Sequence, residues 1–286
     1  MMGMFDTILD RIGRRLASLL VKQAPGYQPY TPSDYDTLSG ILEPGDVLLV
    51  EGDQIISGTI KYLTQSTWSH AAFYIGDALV GENDRDDINA PRLIEVTIGE
   101  GCSAVPLARY QRYNTRICRP YRLTEEDRRK IVEFMVSKIG LQYDTRNIFD
   151  LLRYFLPLPV PQRWRRRAIA FGSGDPTRAI CSSLIAQAYQ SIGYPILPEI
   201  TLAPGRAHAE SAHARKEILH IRHHALFAPR DFDLSPYFRV VKPTIEKGFD
   251  YRDLTWSEKV SEKDILRART LARESETEAE ISAKED

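Results

Sequence analysis

The chain has 286 residues, with 38 Lys and Arg set against 39 Asp and Glu. That length holds one large domain or two small ones, and the near-neutral charge offers no global field to draw a nucleic acid. Three cysteines (Cys102, Cys118, Cys181) form no CxxC pair and no run of about 18 apolar residues occurs, so a reducing, cytoplasmic setting is expected, with neither a disulfide framework nor a membrane span.

Residues 4–20 place Phe5, Ile8, Leu9, Ile12, Leu16, Leu19 and Leu20 at helical spacing. Arg11, Arg14 and Arg15 interrupt what a secretory signal would keep unbroken, so residues 1–26 read as an amphipathic helix. Its apolar stripe packs on the domain or a sister subunit, or else lies on an anionic membrane surface. Residues 27–40, rich in turn formers, read as a linker. The segment 41–245 reads as the main domain and 246–286 as a charged tail.

Within that domain, EPGDVLLV predicts a turn and then a strand from Val47 to Val50, and ISGTIKYLTQ a short helix. TWSHAAFYIGD (67–77) predicts a second strand closed by a turn at Gly76-Asp77. RLIEVTI (92–98) alternates, with Ile94, Val96 and Ile98 on one face and Leu93, Glu95 and Thr97 on the other. A further strand is expected from Arg116 to Arg119. LTEEDRRKIVEFMVSKIG predicts a helix with Thr124 as N-cap, a stripe of Ile131, Phe134, Met135 and Ile139, and Gly140 at its end. RNIFDLLRYF (146–155) predicts another. A Pro-rich and then basic loop follows over 156–176. CSSLIAQAYQSIG predicts a helix burying Leu184, Ile185, Ala188 and Ile192. Strand-like segments lie near 218–227 and 237–243. Strands first, then helices, then strands again argue for an α+β fold.

Three residues stand out. His70 is an ionisable ring inside an apolar strand, where a histidine tied to a backbone carbonyl is the plain alternative. Cys181 opens a helix, whose dipole favours thiolate; burial as an inert small hydrophobe is the alternative there. Glu95 sits in an apolar strand, where a carboxylate must be paired unless that face is wet. A thiolate needs a base, and the base needs a group that fixes its tautomer; Cys181, His70 and Glu95 supply those three types.

The succession EPGDVLLV, STWSHAAFYIGD, LIEV, GLQYD and ICSSLIAQAYQSIG, over about 40–195, resembles the permuted papain-like enzymes. More closely it is similar to the YiiX/YebB branch, with its poxvirus relatives, of the NlpC/P60 superfamily. His before Cys is the order that circular permutation implies. The resemblance implies a permuted papain-like fold, an antiparallel sheet or small barrel packed against helices. It implies Cys181 as nucleophile, His70 as base, Glu95 as third member and Tyr143 as a site-lining group; independently of it, the backbone N–H groups left free at the helix start, near Ser182, are expected to hold an oxyanion. The resemblance calls for no metal or cofactor. The activity expected is cleavage of a peptide or peptidoglycan-fragment amide. A lipid acyl hydrolase or acyltransferase on the same triad, or a scaffold that keeps the fold without catalysis, are the alternatives.

Two further clusters invite a function. HIRHH (220–224), with His208 and His213, has an i, i+4 histidine pair that suggests zinc, but lacks the HExxH glutamate. Arg163, Arg165, Arg166 and Arg167 around Trp164 form a solvated loop, contact anionic lipid, or fold as a lid over Cys181. Peripheral membrane contact through residues 4–20 or 153–167 is therefore an expectation. Oligomeric state is not legible.

Overall fold

The computed structural model describes residues 29–30, 33–97, 100–141, 180–202, 217–220 and 227–253. The N-terminal helix, Tyr143, the helix at 146–155, the basic loop, His208, His213, the end of the histidine cluster and most of the tail lie outside these residues. The chain divides into two compact units, Met1–Pro243 and Thr244–Asp286. The described part of the second holds a 3-10 turn at Tyr251–Asp253.

Inside the expected linker lies a one-turn helix, α1 (Tyr35–Ser39), capped by the Asp34 side chain accepting from the Thr37 N–H at 2.6 Å. It carries the buried Leu38. Strand β1 (Val47–Val50) is buried along its whole length. Helix α2 (Ile55–Thr64) leads to β2 (His70–Tyr74), β3 (Pro91–Thr97) and β4 (Gly101–Pro106). A 3-10 turn at Leu107–Tyr110 then feeds β5 (Thr115–Pro120). Helix α3 (Glu125–Val136) starts at Thr124, whose hydroxyl accepts from the Asp127 N–H. It ends a turn earlier than its apolar stripe suggests: Ser137 caps it and Ile139 is exposed, while Ile131 and Met135 are fully buried. Helix α4 (Ile180–Ser191) is followed by a β6–β7 hairpin (Glu199–Leu202 with Glu217–His220), α5 (Pro229–Leu234) and β8 (Phe238–Val241).

Strands β4, β3, β2, β1, β5 and β8 hydrogen-bond in that order into one sheet, each pair antiparallel. Among the described residues the order is linear, so the sheet is open there. This is the α+β architecture the element order predicts. β4 was not foreseen, because Gly101-Cys102-Ser103-Ala104 has little strand propensity and is recruited by pairing with β3. Helix α5 was not foreseen either. Pro229 opens it, and the Asp231 carboxylate accepts from the Ala228 N–H.

Both faces of the sheet are covered. On one, Val47, Leu49, Ala71, Phe73, Ile94 and Val96 meet Ile131 and Met135 of α3, Leu184, Ile185 and Ala188 of α4, and Phe232 of α5. On the other, Leu48, Val50, Ala72, Tyr74 and Leu93 meet Leu38, Leu42, Leu107 and Tyr110. Each fully buried Leu or Ile here contributes about 1.5–3 kcal/mol of transfer free energy. Residue parity along β2 and β3 assigns His70 and Glu95 to the second face, whereas α4 lies on the first. They come together only at the end of the sheet, where β2 begins.

The EPGD turn before β1 needs its glycine, since Gly45 has φ +96° and its N–H donates to the Tyr74 carbonyl. At the end of β2, Gly76 has φ +60°, and a Cβ there would sit 2.8 Å from Cγ of Pro44.

Candidate active site

β1 and β2 end together, with Val50 opposite His70. The β2–β3 register pairs Phe73 with Ile94 and Tyr74 with Leu93. Continued, it puts Glu95 beside Ala72 and one diagonal step from His70, within reach of long side chains. The contact is made: His70 Nε2 lies 2.8 Å from Glu95 Oε2. That leaves Nδ1 as the nitrogen free to face sulfur. Cys181, in the first turn of α4, is hydrogen-bonded to His70 and also accepts from the backbone N–H groups of Ala71 and Ser182. The three groups singled out from sequence therefore meet.

Burial shapes the electrostatics. Glu95 is 1% exposed, which excludes the wet-face alternative. The alternation in RLIEVTI misleads because α1 and the 3-10 turn cover the face carrying Leu93 and Glu95. Burial alone pushes the Glu95 carboxyl up. His70, then the Tyr110 hydroxyl, then Arg109 more than offset this, and its pKa falls below the ordinary carboxylate value. For His70, burial alone would lower the pKa. The Cys181 sulfur and the Glu95 carboxylate overcome that and raise it to about 10. For Cys181, burial raises the pKa, but imidazolium and the two backbone N–H groups lower it below that of an ordinary thiol. Both shifts favour a thiolate beside an imidazolium. The other cysteines show what burial does unopposed: Cys102 is pushed up to about 11, and Cys118 still higher.

Ser182 is used differently from what its position suggests. Its hydroxyl is fully buried and donates to the Phe227 carbonyl at 2.7 Å, so the side chain fastens α4 while its backbone N–H faces the sulfur. Two residues of the site were not foreseen. Tyr110 donates its hydroxyl to Glu95 Oε2, the same oxygen that His70 approaches. Arg109 Nη1 lies 3.3 Å from Oε1, an ion pair without the alignment of a hydrogen bond. No spacing in LARYQRY announces that this turn folds back over β3.

Beside the site, Trp68 Nε1 donates to Asp233 at 3.1 Å, and Arg116 stacks over the indole at 4.9 Å while pairing with Asp233 at 2.7 Å. This ties α5 to the strand ends that carry His70. Among the described residues, no three His, Cys, Asp or Glu side chains are grouped to hold a metal ion. No helix among them is long and apolar enough to cross a membrane.

No curated protein matches the chain. Among solved structures it is similar to metalloprotein yiiX from Escherichia coli O157:H7, at 14% identity and a TM-score of 0.40, covering 70% of this chain and 96% of that one. Residues 41–155 match the model of the permuted papain-like amidase enzymes, YaeF/YiiX, C92 family. The matched stretch holds His70 and Glu95; Cys181 lies beyond it and is joined to them by the fold. The chain is thus similar, over residues 41–155, to the permuted papain-like amidase enzymes of the YaeF/YiiX kind, and its fold is an α+β arrangement with a covered antiparallel sheet and His preceding Cys along the chain.

Proposed function

We propose that the chain is a cysteine-dependent hydrolase that cleaves an amide bond of a peptide or peptidoglycan fragment. Cys181 is the nucleophile, His70 the base and acid, and Glu95 the positioning group. The single observation that supports this most is the chain of contacts from Cys181 to His70 to Glu95, buried at the strand ends with the helix start behind the sulfur. The thiolate attacks the carbonyl carbon, forming a C–S bond and an oxyanion beside the backbone N–H groups at the start of α4. The oxyanion collapses, the C–N bond breaks, and the His70 imidazolium gives its proton to the leaving amine. Neutral His70 then takes a proton from water as that water attacks the thioester. A carboxylic acid leaves, and thiolate and imidazolium are restored. Glu95 holds the ring in orientation and offsets its charge throughout.

Incubating the full chain with muropeptides and, in parallel, with a cell lipid extract tests this, with intact and peptide-level mass spectrometry as the readout. A peptide-derived thioester on Cys181, absent in Cys181→Ala, is expected. A fatty-acyl adduct on Cys181 would move the substrate class to lipids. Turnover or adducts unchanged in Cys181→Ala would remove the thiol mechanism. Vesicle sedimentation with anionic lipid tests whether residues 4–20 or 153–167 bring the enzyme to a membrane surface.

A further inference from the structure

Glu95 presents a problem that the triad alone does not solve. A carboxylate 1% exposed is costly unless paired. Its first partner, His70, carries charge for only part of the proposed cycle. Once the imidazolium has given its proton to the leaving amine, a neutral ring faces Glu95. Something permanent must then keep the carboxylate ionised and pointed, or it takes up a proton and loses the ring.

We propose that Tyr110 and Arg109, neighbours in the 3-10 turn after β4, are positioning residues that act through Glu95 and keep it an oriented anion when His70 is neutral. The inference rests on the Cys181–His70–Glu95 assignment. Tyr110 is 6% exposed and its hydroxyl donates to Oε2, so this oxygen is shared between the phenol and the imidazole. The two rings also lie side by side, with centroids 6.1 Å apart, so the phenol limits how far the imidazole can swing. Arg109 stands on the other oxygen at 3.3 Å, a charge no physiological pH removes. The turn is anchored for this task. Leu107 is fully buried, and Tyr113 packs edge-on against Tyr110 at 5.7 Å.

The charged and titratable groups facing this carboxylate are His70 from β2 and Arg109 and Tyr110 from the turn, with Cys181 acting through His70. Glu100 and Tyr113 act on Arg109 in turn. Ser103, the cross-strand partner of Glu95, carries no charge, and its buried hydroxyl makes no hydrogen bond. Permanent donors on a carboxylate lower its pKa, so removing them must raise it. Protonated Glu95 no longer supports imidazolium, and without imidazolium the Cys181 thiol regains its proton.

The test is the rate of Cys181 alkylation by iodoacetamide from pH 4 to 9 in the full chain, followed at peptide level beside a thermal melt. In Tyr110→Phe, which keeps the ring, and in Arg109→Gln, the acid limb is expected to move toward neutral pH by about half to one unit, a hydrogen bond or charge at a buried carboxylate being worth about that much. Arg109→Lys should restore most of the shift, which a purely structural role would not require. Melting temperatures that drop with both acid limbs unmoved would overturn the inference and leave the triad standing. A wild-type Cys181 no faster than Cys102 would instead sink the triad assignment itself.

Discussion

Among the carboxylates buried in the described residues, Asp46 and Glu95 are held in opposite ways. Asp46, fully buried at the start of β1, takes both oxygens to Arg119, at 2.8–3.2 Å, and accepts from the Glu43 N–H at 2.9 Å. Arg119 also bonds Glu43 and the Ile41 carbonyl, and Arg128 reaches Glu43 and the Pro44 carbonyl. Every partner there is permanent, and the network fastens the EPGD turn to β5 and α3. Glu95 at the other end of the sheet faces a ring that can lose its charge, and that ring faces a thiol. Burial dominates at Asp46, whose pKa is raised in spite of the arginine, whereas the partners win at Glu95. All the charged partners of the structural carboxylate are fixed; the candidate working one shares its fixed partners, Arg109 and Tyr110, with a ring that titrates.

The sharpest way to break the comparison is to remove a member of each set. Cys181→Ala should abolish turnover with its urea unfolding midpoint near wild type, and His70→Ala should reduce turnover by several orders of magnitude while also losing the stability that pairing gives the buried Glu95. Arg119→Met should do the reverse. It strands the Asp46 charge and costs about 3–5 kcal/mol of stability, yet at temperatures where the protein is folded Cys181 should still alkylate fast. If Arg119→Met slowed Cys181 as much as Glu95→Gln does, the two ends would not be separable.

Next in size is the pH profile of turnover. The active form needs thiolate and imidazolium together. Rate should rise as Cys181 loses its proton below the ordinary thiol value, then fall as His70 loses its proton near 10. Stability follows the same signs. The raised pKa of His70 contributes stability present in full below its unfolded value of about 6.5 and lost as pH rises through about 10. The Glu95 contribution is present above the ordinary carboxylate value and is lost as pH falls through its depressed one. A turnover profile still climbing at pH 11 would contradict imidazolium as the acid. Leu184→Ala, which empties a fully buried position where α4 meets the sheet, should cost about 2–5 kcal/mol. The smallest effect is expected from Ser182→Ala, about 1 kcal/mol for the lost bond to Phe227, with turnover preserved because the backbone N–H remains.

What the sequence reveals follows from which signals are local. Val47–Val50 and the two apolar strands around His70 and Glu95 announce themselves by composition, and α3 by its cap and period. The candidate site residues stand out in the sequence because each breaks a local rule: an ionisable ring and a carboxylate in apolar strands, and a thiol at a helix start. What stayed hidden depends on neighbours distant in the chain. β4 forms because β3 offers a pairing edge, and the Arg109–Tyr110 turn matters only because it folds over Glu95. Ser182 turns its backbone N–H to the Cys181 sulfur, while its hydroxyl bonds the Phe227 carbonyl, 45 positions away, a use no local pattern announces.

The most direct measurement is the alkylation rate of each cysteine as a function of pH in the wild-type chain, resolved by peptide mass spectrometry. Cys181 should react at least tenfold faster than Cys102 and Cys118 at neutral pH, with a midpoint well below the ordinary thiol value of about 8.5. Three slow, similar rates, or a Cys181 midpoint at or above 8.5, would show that imidazole and sulfur do not form an ion pair.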